Sequence, residues 1–160
     1  MRPDTTPLVE QLAAQLLQRQ WLLATAESCT GGLIAGACTD LSGSSNWFER
    51  GFVTYSNAAK TELLGVPPAL IAQHGAVSEP VARAMATGAL SHSPAQLSLA
   101  VTGVAGPTGG TAEKPVGLVW FAFALPDRVL TEQMNFTGDR AAVRAATVRH
   151  ALQRLTELLS

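Results

Sequence analysis

Short apolar segments separated by helix-type patterns constrain the fold of this chain more than any other feature of its sequence. WLLATA (21–26) and QLSLAVTG (96–103) have the length and composition of strands buried in a sheet. FERGFVTYS (48–56) is a further strand candidate, and two more, VGLVWFAFAL (116–125) and RVLTEQMNF (128–136), are separated by a turn at Pro–Asp. The longest uninterrupted apolar run has ten residues, whereas a membrane-spanning helix needs roughly 20. We therefore expect a sheet protein with no membrane partner.

Helix signals occupy the intervals between these strands. Thr5, Thr6 and Pro7 predict a helix start, and apolar residues at helical spacing continue to about Arg19. Further helices are predicted over about 29–41, over 57–64 before Gly65, from a cap at Ser78 to about 92, and from a cap at Asp139 onwards. Because strands and helices alternate early and a hairpin comes late, the pattern predicts an α/β fold, a single-domain three-layer α/β/α sandwich with a mixed sheet over residues 1–160.

Composition narrows the function classes. Apolar residues make up 47% of the 160 residues, charged residues 14%, and the net charge is −1, which favours a globular domain and gives no electrostatic reason to expect a nucleic-acid partner. The two cysteines form no CxxC pair or Cys/His cluster, and the start, MRPDTTPLVEQL, shows no apolar signal core. We therefore expect a cytoplasmic location and no structural zinc.

TAESCTGG (25–32) is the first candidate for chemistry, because it places Ser28 where a buried strand leads into a helix. Unpaired backbone N–H groups at such a junction can stabilise an oxyanion, so a nucleophile is well placed there. Gly31 and Gly32 would let a substrate approach the backbone closely. Serine is also a preferred helix N-cap, and the residues alone favour that simpler interpretation of Ser28.

Cys29 is the alternative nucleophile in this segment, since thiols become more reactive at helix N-termini. A cysteine mechanism usually requires a histidine, and only His74, His92 and His150 are available. Of these, His74 alone stands in motif-like surroundings. We therefore interpret Cys29 as a small buried residue.

TYSNAAK (54–60) is the second candidate. It contains the only tyrosine, Tyr55, and one of the two lysines, Lys60, across a predicted strand end and helix start. A buried, neutral lysine can activate a serine, and a tyrosine hydroxyl can relay a proton. An exposed lysine and a tyrosine packed at the sheet rim fit the same spacing, and the spacing alone favours them.

A glycine-rich loop is the third candidate. Four glycines fall within the eight residues 103–110, after a predicted strand, so successive N–H groups could form an anion-binding nest. The spacing is neither that of a P-loop nor GxGxxG, and a long tight turn explains the glycines equally well. Arg140 lies at a predicted helix start, where it could bind a carboxylate or phosphate or simply be solvated.

Together, TAESCTGGLIAG, GSSNWFERGFVTYSNAAK, HGAVSEPVARAMA, VTGVAGPTGG, EKPVG and FTGDR closely resemble the CinA carboxy-terminal domain family over nearly the whole chain. The resemblance implies a nicotinamide-nucleotide amidase (NMN deamidase), which converts nicotinamide mononucleotide to nicotinate mononucleotide and ammonia in pyridine-nucleotide (NAD) recycling. It also implies that Ser28 is the nucleophile and that Lys60 and Tyr55 are catalytic. This reverses the preference for capping at Ser28.

We therefore expect neutral Lys60 to take the proton of Ser28 with help from Tyr55, and N–H groups near Cys29 to hold the oxyanion. Such a route needs neither a metal nor an organic cofactor. The expected substrate-binding residues are Thr30, Gly31, Gly32, Thr102, Gly103, Gly106, Gly109, Gly110 and Arg140. The alternatives are a nucleotide- or partner-binding module without turnover and a hydrolase of another amide. A homodimer is the default expectation for the assembly.

Overall fold

The computed structural model describes residues 4–160. Residues 1–3 lie outside the described part. The predicted domain and the segment MRPDTTPLVEQL, in which no signal pattern was found, both include these three residues. In this described part, six α-helices and five strands follow one another as α1 (Thr6–Arg19), β1 (Leu23–Glu27), α2 (Leu33–Thr39), β2 (Phe48–Val53), α3 (Asn57–Leu64), α4 (Pro68–His74), α5 (Glu79–Ser91), β3 (Leu97–Gly103), β4 (Leu118–Ala124), β5 (Val129–Asn135) and α6 (Arg140–Leu158). Within residues 4–160, none of the helices has both the length and the apolar character required to cross a membrane.

The five strands form one mixed sheet in the order β2-β1-β3-β4-β5. β1 pairs in parallel with both β2 and β3, whereas β3 with β4 and β4 with β5 are antiparallel. The predicted mixed sheet and late hairpin are therefore confirmed. Because β1, β2 and β3 are parallel, their carboxyl ends meet at one edge of the sheet, where α/β proteins commonly place their ligands.

The two faces of the sheet differ in side-chain size. Large side chains on one face, such as Leu99 and Phe121, pack against α1, α2 and α6. Alanines on the other face pack against α3, α4 and α5. These alanines are Ala24, Ala26, Ala100, Ala122 and Ala124. Two helical layers around one sheet confirm the three-layer α/β/α sandwich, and the small residues let α5 approach the sheet closely.

Two of the predicted helix ends lack the hydrogen bond that a capping side chain would make. Gly65 adopts the left-handed conformation that ends α3, and the Asp139 carboxylate accepts the Ala142 N–H, both as predicted. Thr5 and Ser78 occupy the N-cap positions of α1 and α5, but neither side chain accepts a hydrogen bond from the first turn of its helix. The Ser78 hydroxyl instead donates to Gly75 O at 2.8 Å.

The predicted start of α2 at residue 29 is wrong by four residues, and α4 was not predicted. α2 begins at Leu33 because Gly31 and Gly32 have φ values of +57° and +104°, which are incompatible with a right-handed helix. α4 has seven residues and follows two prolines, too short a segment to produce a recognisable apolar period. Its Pro68 occupies the first turn, where proline removes no helical hydrogen bond.

Gly88 in α5 is a contact point on which the packing of α3 depends. A Cβ atom there would lie 2.1 Å from the backbone oxygen of Leu64. Alanine favours a helix by about 1 kcal/mol over glycine, but this clash with the backbone must outweigh that gain.

We predict that Gly88→Ala lowers the free energy of unfolding by about 2 kcal/mol or more, measured by urea denaturation. The neighbouring exposed variant Thr87→Ala is the control and should change it by about 0.5 kcal/mol or less; a Gly88→Ala protein as stable as the wild type would contradict the packing.

Candidate active site

A cleft of about 360 Å³ lies at the edge of the sheet where the three parallel strands end. Ser28 follows β1, Tyr55 lies just beyond β2, and Thr102 and Gly103 end β3. The structure brings these predicted residues together with Lys60, Gly106, Gly109 and Arg140 in the lining of the cleft. The rest of the lining is formed by Cys29, Asn57, Ala76, Val77, Val104, Ala105 and Thr108.

Lys60 and Ser28 are in direct contact. The Lys60 Nζ atom lies 3.0 Å from Ser28 Oγ, 3.0 Å from Thr54 O and 3.1 Å from Tyr55 O. Lys60 is only 1% exposed, on the second turn of α3. The Ser56 hydroxyl caps that helix by accepting the Ala59 N–H at 3.0 Å, and so fixes the direction from which the lysine enters the site.

These three contacts suit a neutral amine. A neutral amine has two N–H donors and one lone pair, so in that form the two carbonyls can take the donors while the lone pair faces the serine hydroxyl. Burial lowers the pKa of Lys60 below its ordinary value, because removal from water disfavours the charged form. No carboxylate forms an ion pair with Lys60 within residues 4–160 to restore the charge. The arrangement therefore fits a general base for Ser28.

Tyr55 takes part in the site mainly through its backbone. Its carbonyl accepts a hydrogen bond from Lys60, whereas its side chain is 59% exposed. The Tyr55 hydroxyl accepts a hydrogen bond from Arg140 Nη2 at 3.1 Å and bonds to neither Ser28 nor Lys60 in this structure. A relay through this hydroxyl is therefore not assembled in the geometry seen here, and the side chain lies at the rim where substrate would enter.

Glu27 holds the turn that carries Ser28. Its carboxylate is buried and accepts hydrogen bonds from Thr30 Oγ1 at 2.5 Å, Ile34 N at 2.8 Å and Ala35 N at 3.0 Å. Glu27 thus accepts the hydrogen bonds of the first-turn N–H groups of α2, which the side chain of a capping serine would otherwise accept. The N-cap of α2 is Gly32, so the capping interpretation of Ser28 is wrong and its hydroxyl is left for Lys60.

Two amides beside Ser28 donate to no other residue in the part of the chain that the structure describes. Gly31 N donates to Ser28 O at 3.1 Å, but the N–H groups of Cys29 and Thr30 donate to no other residue within 4–160. Such free donors next to a nucleophile can stabilise a developing oxyanion. The turn preceding α2, rather than the helix itself, therefore provides the candidate oxyanion hole.

Cys29 has none of the features of a nucleophile. Its side chain is buried, and burial raises the pKa of its thiol to about 12, so the reactive thiolate is strongly disfavoured. His92 bonds to Gly88 O and His150 to Glu132. No histidine side chain bonds to Cys29 in the part of the chain that the structure describes. These findings agree with the interpretation of Cys29 as a packing residue.

The glycine-rich loop forms one wall of the cleft. The buried Thr102 hydroxyl donates to Ala76 O at 2.9 Å, and Arg140 Nη1 donates to Gly106 O at 2.8 Å. Among the described residues, the N–H groups of Gly106 and Gly109 have no hydrogen-bond acceptor, and both glycines have positive φ angles. Free amides and a guanidinium at one rim are groups that bind anions.

Four predicted substrate-binding residues do not line the cleft. Thr30 is fully buried with its hydroxyl on Glu27. Gly31 and Gly32 shape the turn after Ser28, and Gly110 packs against the backbone of Val116. The backbone N–H of Thr30 donates to no other residue within residues 4–160.

Sequence reasoning missed two kinds of contact. The carbonyls of Thr54 and Tyr55 that hold Lys60 belong to the backbone, and no residue type announces them. Arg144 donates to Cys29 O and Thr30 O from the opposite side of the turn. The sequence did contain a sign of this contact: Arg144 follows Arg140 by four residues, so both side chains lie on one face of α6.

Comparison with known proteins supplies the family. The sequence pattern of the CinA C-terminal domain matches residues 5–159. The nicotinamide-nucleotide amidohydrolase PncC of Enterobacter agglomerans is 56% identical over 144 residues, which cover 89% of this chain and 88% of that protein. PncC of Pseudomonas putida is 52% identical over 158 residues, covering 99% and 98%. The crystal structure of the competence/damage inducible protein CihA from Agrobacterium tumefaciens has a TM-score of 0.96 at 46% identity, covering 100% of this chain and 99% of that one.

Proposed function

The chain belongs to the CinA C-terminal domain family, and we propose that it hydrolyses the carboxamide of nicotinamide mononucleotide to nicotinate mononucleotide and ammonia. Relatives that match nearly the whole chain at 52–56% identity are named nicotinamide-nucleotide amidohydrolases. The observation that carries the proposal is the buried Lys60 amine 3.0 Å from Ser28 Oγ in an open cleft. We propose that the reaction serves pyridine-nucleotide recycling.

In the first half of the reaction, Ser28 Oγ attacks the carboxamide carbon while its proton passes to the lone pair of Lys60. The negative charge moves to the carboxamide oxygen, where the free N–H groups of Cys29 and Thr30 stabilise it. The tetrahedral intermediate then collapses, the carbon–nitrogen bond breaks, and ammonia leaves with the proton that Lys60 returns. The nicotinate nucleotide remains as an ester of Ser28.

In the second half, a water molecule takes the place of ammonia. Lys60 accepts a proton from this water as its oxygen attacks the ester carbon, and the same two amides hold the second oxyanion. The bond to Ser28 then breaks, and the proton returns to Ser28 Oγ. Thr54 O and Tyr55 O keep the amine aligned through both steps because they accept its two permanent N–H bonds.

The opposite rim of the cleft is our candidate for the sugar phosphate. Arg140 supplies a cation there, and Gly106 and Gly109 supply free amides. None of the described residues that line the cleft is an aspartate or glutamate, so an anionic group meets no like charge from them. Tyr55 extends its exposed ring beside Arg140, next to where a nucleotide would enter.

Removing either member of the pair should abolish turnover. We predict that Ser28→Ala lowers kcat for ammonia release from nicotinamide mononucleotide by more than about 10³-fold, because the acyl ester cannot form. Lys60→Met should lower it about 10²- to 10⁴-fold, which is the usual contribution of a general base. Cys29→Ala, the neighbouring control, should retain most of its activity.

Each variant should have a thermal unfolding midpoint close to that of the wild type, so that loss of activity is not loss of fold. Near wild-type kcat in Ser28→Ala would contradict the nucleophile, and complete loss in a folded Cys29→Ala would favour the thiol. Binding of nicotinamide mononucleotide by the wild type without ammonia release would favour a binding module instead.

The rate should depend on the protonation of Lys60. Because only the neutral amine can accept the serine proton, and because burial lowers the pKa of this amine, kcat/KM should rise with pH through a value below 10.5 and then level off. Lowering the pH through that value should remove activity. The residual activity of Lys60→Met should lack this rise, and a wild-type profile that falls with increasing pH over the same range would contradict the assignment.

The role of Arg140 can be tested by comparing two substrates. We predict that Arg140→Ala raises KM for nicotinamide mononucleotide about tenfold or more, the loss of one charge-assisted contact, and raises it much less for the uncharged nicotinamide riboside. Arg149→Ala, at an exposed position on the same helix, should leave both values unchanged. Equal effects of Arg140→Ala on the two substrates would remove Arg140 from phosphate binding.

A further inference from the structure

We propose that Arg144 is a positioning residue that holds the turn after Ser28 in the orientation needed to bind the oxyanion. The inference deepens the hydrolase proposal and rests on it for the identity of the nucleophile. Arg144 Nε donates to Cys29 O at 3.1 Å, and Nη2 donates to Thr30 O at 3.2 Å. Arg144 does not line the catalytic cleft; it lines a separate cavity between α1, α2 and α6. It therefore acts on the turn from behind.

Peptide planarity connects this contact to the oxyanion site. The carbonyl of one residue and the N–H of the next lie in one plane and point in opposite directions. By binding Cys29 O on its own side of the turn, Arg144 directs the Thr30 N–H away from itself. That N–H is one of the two free donors beside Ser28.

The second free donor is fixed by the same principle but without Arg144. Ser28 O accepts the Gly31 N–H at 3.1 Å, which sets the direction of the Cys29 N–H in the same peptide plane. The two donors therefore depend on different restraints, one within the turn and one supplied from α6. Loss of Arg144 releases only the Thr30 donor.

The turn needs an outside restraint because its own residues provide little. Gly31 and Gly32 adopt positive φ angles that glycine enters and leaves freely, so rotation of the preceding peptide meets a low barrier. Glu27 holds the Thr30 side chain through its hydroxyl, but it does not bind the carbonyl of Cys29. Arg144 is the only side chain bonded to that carbonyl within residues 4–160.

The guanidinium is also suited to this contact by its shape. Its planar fork reaches two successive carbonyls at once, whereas a lysine ammonium is a single point on a flexible stem. We therefore expect Arg144→Lys to keep part of the effect and Arg144→Met to lose it. Arg149→Met, on an exposed position of the same helix, is the matched control.

The first measurement is steady-state kinetics with nicotinamide mononucleotide. An oxyanion contact exists only in the transition state, so Arg144→Met should lower kcat about 10- to 100-fold and leave KM nearly unchanged. Arg144→Lys should lie between Arg144→Met and the wild type, and Arg149→Met should match the wild type. The midpoint of the pH profile should not move, because Lys60 is untouched.

The second measurement does not depend on the natural substrate. A fluorophosphonate reacts with an activated serine: the Ser28 Oγ–phosphorus bond forms, the phosphorus–fluorine bond breaks, fluoride leaves and Lys60 takes the proton. The phosphoryl oxygen then occupies the oxyanion site. The rate of labelling, followed by intact-protein mass, should fall in Arg144→Met by a factor similar to that in kcat, and Ser28→Ala should not be labelled.

The two proposals fail in different ways. If the wild type releases no ammonia but is labelled at Ser28, the substrate assignment is wrong and the labelling rates still decide the role of Arg144. Wild-type labelling and kcat in a folded Arg144→Met would overturn the inference, as would a raised KM at unchanged kcat. If Arg144→Met does not fold, Arg144→Lys decides: a folded protein with wild-type labelling rate overturns the inference, and one with a slower rate supports it.

Discussion

The buried contact between Lys60 and Ser28 is the interaction on which the rest of the site depends. An isolated ammonium 1% exposed would cost several kcal/mol of desolvation. The structure avoids this by giving the amine two carbonyl acceptors and one hydroxyl, which a neutral amine satisfies completely. Because the pKa of Lys60 is lower in the folded than in the unfolded chain, protonation opposes folding and stability rises with pH between the two values. The same burial that costs stability lowers the pKa of the amine and so favours the neutral form that a general base requires.

The turn after β1 also contains an arrangement that is unfavourable for stability, because it leaves backbone amides without a partner residue. Glu27 satisfies the first amides of α2 from a buried position, so the helix does not need Ser28 as a cap. The amides of Cys29 and Thr30 are left unpaired among the described residues, although unpaired amides are unfavourable in a folded chain. A turn rather than a longer helix follows the strand because Gly31 and Gly32 have positive φ angles.

The sequence predicted the elements better than the contacts between them. Buried strands such as β1 and β3 were recognisable because their apolar runs are short and lie between helix-type segments. The start of α2 was not, since two glycines in the left-handed region interrupt a segment of otherwise helical composition. Tyr55 was expected to act through its hydroxyl, yet its carbonyl makes the contact with Lys60. Backbone groups are present at every residue, so no sequence pattern distinguishes those that hold a side chain.

The unequal faces of the sheet help to bring Lys60 to Ser28. Alanines on one face let α5 lie close to the sheet, and Gly88 then lets the backbone at Leu64 pack directly on α5. Leu64 lies one helical turn after Lys60, so the position of α3 on α5 sets how far the lysine reaches. Larger side chains at these positions would push α3 outwards and lengthen the 3.0 Å contact to Ser28. The small residues of the core, remote from the cleft, are therefore part of the reason that the chain can carry out its chemistry.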